Sequence, residues 1–181
     1  MKKLFILPLF ALLFLAVSCP NNNPPKPAPP EVLPPITQTG AGTFGCLLNG
    51  KVWLPSNSGA LITLDCQYYR GLFLLSAGRV LKDPDVSQWF SSAIKPVYGG
   101  GTYYYKSSPP LGGSPGASFS DDVKNSSYQT DDKDSLNTYV TITKLDSTNR
   151  IVSGTFSFLF TKIGYDTVRI TNGRFDMKYT Y

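Results

Sequence analysis

Thr43-Phe44-Gly45-Cys46-Leu47-Leu48-Asn49-Gly50-Lys51-Val52-Trp53-Leu54 reads as two short apolar runs folded back on each other at Asn49-Gly50. A two-residue connection needs positive φ at both central positions, which asparagine and glycine tolerate best, and its twist matches that of paired strands. The turn predicts Leu48 opposite Lys51, Leu47 opposite Val52 and Cys46 opposite Trp53. One face of the hairpin then carries Leu47, Val52 and Leu54; the other carries Phe44, Cys46, Leu48 and Trp53. Apolar residues on both faces imply cover on both sides. Otherwise the Trp53 face is itself a binding surface.

The same grammar extends outward. Ala60 to Tyr69 alternates, with Ile62, Leu64, Cys66 and Tyr68 on one face, and Arg70-Gly71 turns the chain into Leu72 to Ala77. Thr102 to Tyr105 is a short strand among Gly- and Pro-rich loops, and Asp121 to Leu136 is polar and reads as loop. Tyr139 to Leu145 is a strand, and Ile151 to Phe160 places Phe156, Phe158 and Phe160 on one face. Thr167 to Thr171 reads as turning at Asn172-Gly173 into Arg174 to Tyr181. That register sets Ile170 against Phe175 and Val168 against Met177 inside, with Arg169 against Asp176 outside as a favourable couple. The stretch 84–94 has two readings. Val86, Trp89, Phe90, Ala93 and Ile94 follow helical spacing behind an Asp83-Pro84 cap, yet the same residues can form a strand. The expected fold is all-β: an antiparallel β-sandwich, with a closed barrel as the alternative and one short helix near 84–94.

Composition agrees. Tyr 11 and Phe 11 supply β-favouring bulk, and a hydrophobic fraction of 41% is enough for one core in a chain of 181 residues.

The N-terminus carries an address. Lys2-Lys3 precedes Leu4 to Val17, an apolar run shorter than the ~18 residues expected of a membrane span, so residues 1–18 read as a signal peptide. Leu15-Ala16-Val17-Ser18-Cys19 is similar to a lipobox, whose cysteine is acylated and becomes the mature N-terminus. Ala16 stands where the lipobox usually has leucine, and Ala16-Val17-Ser18 also satisfies the small-x-small rule of ordinary secretion. A cysteine closing the apolar run favours lipidation at Cys19, and acyl chains at ~0.8 kcal/mol per buried methylene make that anchor durable. Residues 19–40 form the lipidated cysteine and a Pro-rich tether: Pro24-Pro25-Lys26-Pro27-Ala28-Pro29-Pro30, then Pro34-Pro35. Proline fixes φ and removes a donor, so such a stretch stays extended and spaces the domain from the lipid. Residues 41–181 are then the single β-sandwich domain.

Several functional classes lose ground here. Without Lys2 and Lys3 the chain keeps 15 basic against 12 acidic side chains, a formal +3, with no dense Lys/Arg run, so nucleic acid is not an expected partner. There is no histidine, which removes the usual general base and the commonest metal ligand. No Gly-x-Ser-x-Gly elbow or phosphate-binding Gly-rich loop occurs, and no catalytic residue, cofactor or metal is assigned. Paired carboxylates such as Asp65 and Asp176 could in principle do glycosidase work in a histidine-free hydrolase, but the acid inventory is thin. Asp131-Asp132-Lys133-Asp134, with Asp121-Asp122, lacks the glycine and terminal glutamate of a calcium loop and reads as solvated chain.

Cys46 and Cys66 fall on apolar strand faces. In an oxidising envelope they could close a loop of about 20 residues by a disulfide worth roughly 3 kcal/mol, or stay buried as free thiols. Trp53, Trp89, Tyr103, Tyr104 and Tyr105 are candidates for an aromatic platform beneath sugar rings, against the plainer reading that they are core and strand residues.

Leu33-Pro34-Pro35-Ile36-Thr37-Gln38-Thr39-Gly40 followed by Thr43 to Pro55 resembles an uncharacterised family of Bacteroidota lipoproteins. Gly154-Thr155-Phe156-Ser157-Phe158, then Asp166-Thr167-Val168 and Ile170 to Asp176, resembles its ending. The resemblance implies a β domain tethered in a Gram-negative envelope, on the outer membrane, and assigns no active site. The expected function is a non-catalytic module binding a protein or glycan partner and held to the membrane by its lipid. The alternatives are a structural envelope protein and, last, the histidine-free hydrolase.

Overall fold

Paired strands dominate the chain because its apolar residues recur at period two between turn residues that accept positive φ. The computed structural model describes residues 30–56, 63–82, 84–105, 116–130 and 137–181. The stretch expected to be a signal peptide, Cys19, the first part of the expected tether and Asp131-Asp132-Lys133-Asp134 lie outside them. Along the described chain run β1 (Thr43–Leu48), β2 (Lys51–Trp53), β3 (Leu64–Tyr69), β4 (Leu72–Lys82), β5 (Asp85–Ile94) and β6 (Gly101–Tyr104). They are followed by β7 (Gly116–Asp121), β8 (Ser126–Gln129), β9 (Tyr139–Asp146), β10 (Ile151–Phe160) and β11 (Val168–Lys178). One antiparallel sheet has the order β2-β1-β11-β10-β9-β6, the other β3-β4-β5-β7-β8. They face each other as a sandwich and do not close into a barrel.

The opening hairpin forms as its turn dictates. Asn49 and Gly50 have φ of 49° and 81°, and Leu48, Leu47 and Cys46 pair with Lys51, Val52 and Trp53. Arg70-Gly71 makes the same kind of turn between β3 and β4. Between the sheets, Phe90 of β5 stacks on Phe156 of β10 at 5.4 Å and tilts against Phe158 at 5.0 Å, while Phe73 stacks on Phe175 at 5.6 Å. Such ring pairs add about 0.5–1.5 kcal/mol each beyond their burial.

Three expectations need correction. Residues 84–94 are not helical; β5 lies between β4 and β7 and pairs with both. The helical spacing misled because two inward positions of the strand are polar. Gln88 bonds Trp53 and Asp121 in the interior, and Ser92 bonds Tyr105. The polar stretch 121–136 is not all loop, since β8 pairs with β7 through Ser126–Gln129, with Ser126 and Tyr128 turned inward. Third, Asn172-Gly173 makes no hairpin: β11 runs on through it as one strand. Asn172 has φ 50°, and the register slips there against both neighbours, between Gly45 and Leu47 of β1 and between Phe156 and Phe158 of β10. It is a bulge, one extra residue that bends the strand and re-aims the side chains beyond it.

Beyond the bulge Phe175 and Met177 point inward, which leaves Asp176 on the other face of the sheet, beneath the segment from Thr37 to Ala41. Instead of facing solvent beside Arg169, its carboxylate is buried and accepts hydrogen bonds from both flanking layers of chain. Oδ1 takes the Gly40 N–H at 2.7 Å and the Ser153 hydroxyl at 2.7 Å. Oδ2 takes the Thr37 hydroxyl at 2.7 Å, the Thr39 N–H at 2.9 Å, the Thr39 hydroxyl at 3.1 Å and the Ala41 N–H at 3.2 Å. The residues that composition assigns to the end of the tether are thereby fastened to the domain. Nearby, Glu31 pairs with Arg79 at 2.9 Å, Arg174 bonds the Pro34 carbonyl at 3.2 Å, and Lys144 bonds the Gln38 carbonyl at 3.0 Å. Leu33 and Pro34 press on Gly45, where a Cβ would meet Pro34 at 2.7 Å. This segment is the cover that the apolar second face of the β1–β2 hairpin requires.

Candidate functional site

Alternation along the five-stranded sheet separates two sets of side chains. Phe90, Ser92 and Ile94 of β5, Ala117 and Phe119 of β7, and Ser126 and Tyr128 of β8 are buried. The residues between them, Trp89, Ser91, Ser118, Ser120, Ser127 and Gln129, therefore stand on the outer face. Register lines them up in rows: Gly78, Trp89, Ser120 and Ser127 in one, and Asp65, Ser76, Ser91, Ser118 and Gln129 in the next.

Trp89 is the centre of this face. It sits opposite Gly78, and a Cβ built on Gly78 would lie 2.6, 2.7 and 3.0 Å from three atoms of its six-membered ring. Three near-equal distances mean that the ring lies across the glycine, not edge-on to it. Only a residue without a side chain lets an indole settle this close to the backbone. No other ring stacks on Trp89 among the described residues. Around it the Ser91 and Ser118 hydroxyls bond each other at 2.8 Å, and Asp65 accepts from Gln67 at 2.8 Å. The result is one aromatic ring laid on a sheet of small hydroxyls, a surface that offers both an apolar face and convergent donors and acceptors.

The aromatics singled out from sequence do not form one platform. Trp53 is in the core at 4% exposure, edge-on to Phe44, and its indole N–H donates to Gln88 Oε1 at 2.9 Å. Gln88 then donates to Asp121, so the chain Trp53–Gln88–Asp121 ties the two sheets together. Tyr105 is also buried; burial pushes its hydroxyl above the usual range, with the Ser92 bond acting in the opposite direction. Tyr103 is half-buried and donates to the Gly99 carbonyl at 2.8 Å. Tyr104 is exposed, but on the six-stranded sheet, where its ring leans on Tyr139 at 5.7 Å. Trp89 and Tyr104 thus serve different faces. The serine rows escaped notice in the sequence because they become a pattern only once β5, β7 and β8 are known to be neighbours.

Cys46 and Cys66 are free and buried, one in each sheet. Burial pushes both thiols up to about 12, and the Asp65 charge adds to the effect at Cys66. At pH 8 neither is a useful nucleophile. A thiol reagent should therefore label the folded domain very slowly, and denaturant without reductant should release two reactive thiols. Fewer than two would show a disulfide.

The carboxylates are similarly committed. Asp176 is filled by six donors and belongs to the six-stranded sheet, whereas Asp65 lies on the outer face of the other, so the two do not meet. Asp121 and Asp122 accept from Gln88, Lys124 and Ser87. No family model, curated protein or solved structure matches this chain.

Proposed function

We propose that this protein is an envelope-anchored, non-catalytic module that binds a glycan on the outer face of its five-stranded sheet. The observation that carries the reading is Trp89 lying across Gly78 amid the serine rows. A sugar ring has apolar C–H faces and an equatorial rim of hydroxyls. Trp89 answers the first, and Ser76, Ser91, Ser118, Ser120 and Gln129 answer the second. The face is the open outer side of a sheet, which suits a polymer laid along the strands better than a small molecule enclosed on all sides.

A thermal-shift panel of envelope and extracellular polysaccharides against residues 31–181 tests this. A ligand at 100 times its Kd stabilises a fold by about 2.7 kcal/mol, a readable rise in Tm. The expected result is a saturable rise that falls at least tenfold in apparent affinity in Trp89→Ala, about 1.4 kcal/mol. Trp89→Phe keeps a ring over Gly78 and should retain most of the binding, which separates lost stacking from a disturbed sheet. A flat response across the panel would overturn the glycan reading. It would favour the structural alternative, which the burial of Trp53 and Tyr105 already suits.

A further inference from the structure

The opposite side of the sandwich carries a second feature. On the outer face of the six-stranded sheet the bulge in β11 opens a groove of about 440 Å³, lined by Tyr139, Thr155, Ser157, Thr171, Asn172 and Arg174. That volume lies within the ~300–1,000 Å³ of small-ligand pockets. The groove exists because the bulge interrupts both ladders of β11 at one point and swells the strand outward.

Its electrostatics are one-sided. The Arg174 guanidinium is held in place by two backbone carbonyls, Nε to Asn172 at 3.3 Å and Nη1 to Pro34 at 3.2 Å. No carboxylate pairs with it among the described residues, and none lines the groove. A guanidinium fixed by neutral carbonyls keeps its full charge and presents its remaining donors as a planar fork, the geometry that matches a carboxylate. Beside it the Thr155 and Thr171 hydroxyls and the Asn172 amide have no side-chain hydrogen bond among the described residues, while the Ser157 hydroxyl bonds the Ile170 carbonyl at 3.2 Å. Tyr139 supplies a ring as the wall. Positive charge, free hydroxyls, an amide and an aromatic wall together describe one ligand chemistry: a sugar ring bearing a carboxylate.

We infer that this groove binds a uronic-acid residue of an acidic polysaccharide, with its carboxylate on Arg174 and its ring against Tyr139. The inference rests on the glycan reading for the class of ligand, but on different residues and the opposite sheet.

The test is calorimetric titration of a panel of homopolymeric oligouronates, their methyl esters and neutral oligosaccharides of equal length into residues 31–181. Oligouronate should bind the wild type, weaken about tenfold or more on esterification, and weaken similarly in Arg174→Gln. Binding should also decline with added salt, because the paired charges are partly exposed. The ester comparison uses unaltered protein, so it decides the matter even where Arg174→Gln misfolds. Equal affinity for acid and ester, or no binding of any oligouronate, would overturn the inference. In the second case, neutral oligosaccharides binding through Trp89 would leave the first proposal standing, and silence from every sugar would remove both.

Discussion

Replacing Asp176 by alanine is expected to lower the stability of the domain by about 3–5 kcal/mol, because several charge-assisted hydrogen bonds are lost and their donors left buried. For a domain of this size that is a fall in Tm of roughly 10 °C. The carboxylate joins three pieces of chain: the segment around Thr37 to Ala41, Ser153 of β10, and β11 itself. Asn at this position keeps the shape but turns an amide NH2 toward groups that already donate, so Asp176→Asn should be only partly milder. The effect has a pH signature. Burial raises the pKa of Asp176, but the hydrogen bonds from Thr37, Ser153, Thr39 and Gly40 outweigh it and hold the carboxyl well below the usual carboxylate range. A depressed native pKa means that the unfolded chain binds the proton more readily. The stabilisation is therefore complete above the unfolded value of about 3.9 and is lost as pH falls below it. Melting curves between pH 7 and pH 2 should show the wild type losing its advantage over Asp176→Asn only at the acid end. Parallel curves throughout would show that the clasp contributes little.

The clasp also explains what could be read from the sequence and what could not. The hairpin at Asn49-Gly50 was legible to the residue, because a two-residue turn fixes the register of both arms and nothing else competes for them. Asn172-Gly173 is the same dipeptide with a different fate. The chain on either side of it is claimed by β1 and β10, so folding the arms together would forfeit two ladders to gain one. Local preference for positive φ survives there as a bulge. Because strand faces alternate with a period of two, that single extra residue switches β11 from burying Val168 and Ile170 to burying Phe175 and Met177, so these four point inward as the hairpin register also expects. Arg174 and Asp176 share the other face, where Arg174 reaches the groove and the segment from Thr37 to Ala41 folds over Asp176 and buries it. The error at 84–94 has the same origin in tertiary context. Gln88 and Ser92 look like surface positions until Trp53, Asp121 and Tyr105 are brought in to satisfy them. Likewise Trp53 and Trp89 are alike as letters. One donates its indole N–H to Gln88 inside the sandwich, and the other has a glycine opposite on an outer face.

The pairing of a ring with a glycine across two strands recurs, and it yields the second large effect. Phe175 of β11 lies opposite Gly154 of β10, and Phe156 of β10 lies opposite Gly173 of β11. In each case the ring fills the space of the missing side chain, since a Cβ on Gly154 would come within 2.7 Å of Phe175 and one on Gly173 within 2.4 Å of Phe156. Two phenylalanines thereby fold down over the neighbouring strand and into the stack that holds the sheets together, as Trp89 does over Gly78 on the outside. Gly154 is the more demanding site, because its Cβ would also stand 2.2 Å from the Thr141 backbone carbonyl. A ring can rotate away from a methyl group; a carbonyl in the β9–β10 ladder can move only with its strand. Gly154→Ala should therefore cost about 3 kcal/mol, at the upper end of ordinary overpacking, with a Tm lower by roughly 6–12 °C. Gly99→Ala is the matched control, since nothing lies within 4 Å of its Cβ position and its φ is not in the left-handed region. It should melt with the wild type. If Gly154→Ala melted there too, both the strand at Thr141 and the Phe175 ring would be free to yield, and the glycine would not be required. A destabilised Gly154→Ala is apportioned by repeating it in Phe175→Leu: a ring clash would make the substitution cheaper in that background than in the wild type, whereas a clash with the carbonyl would cost the same in both.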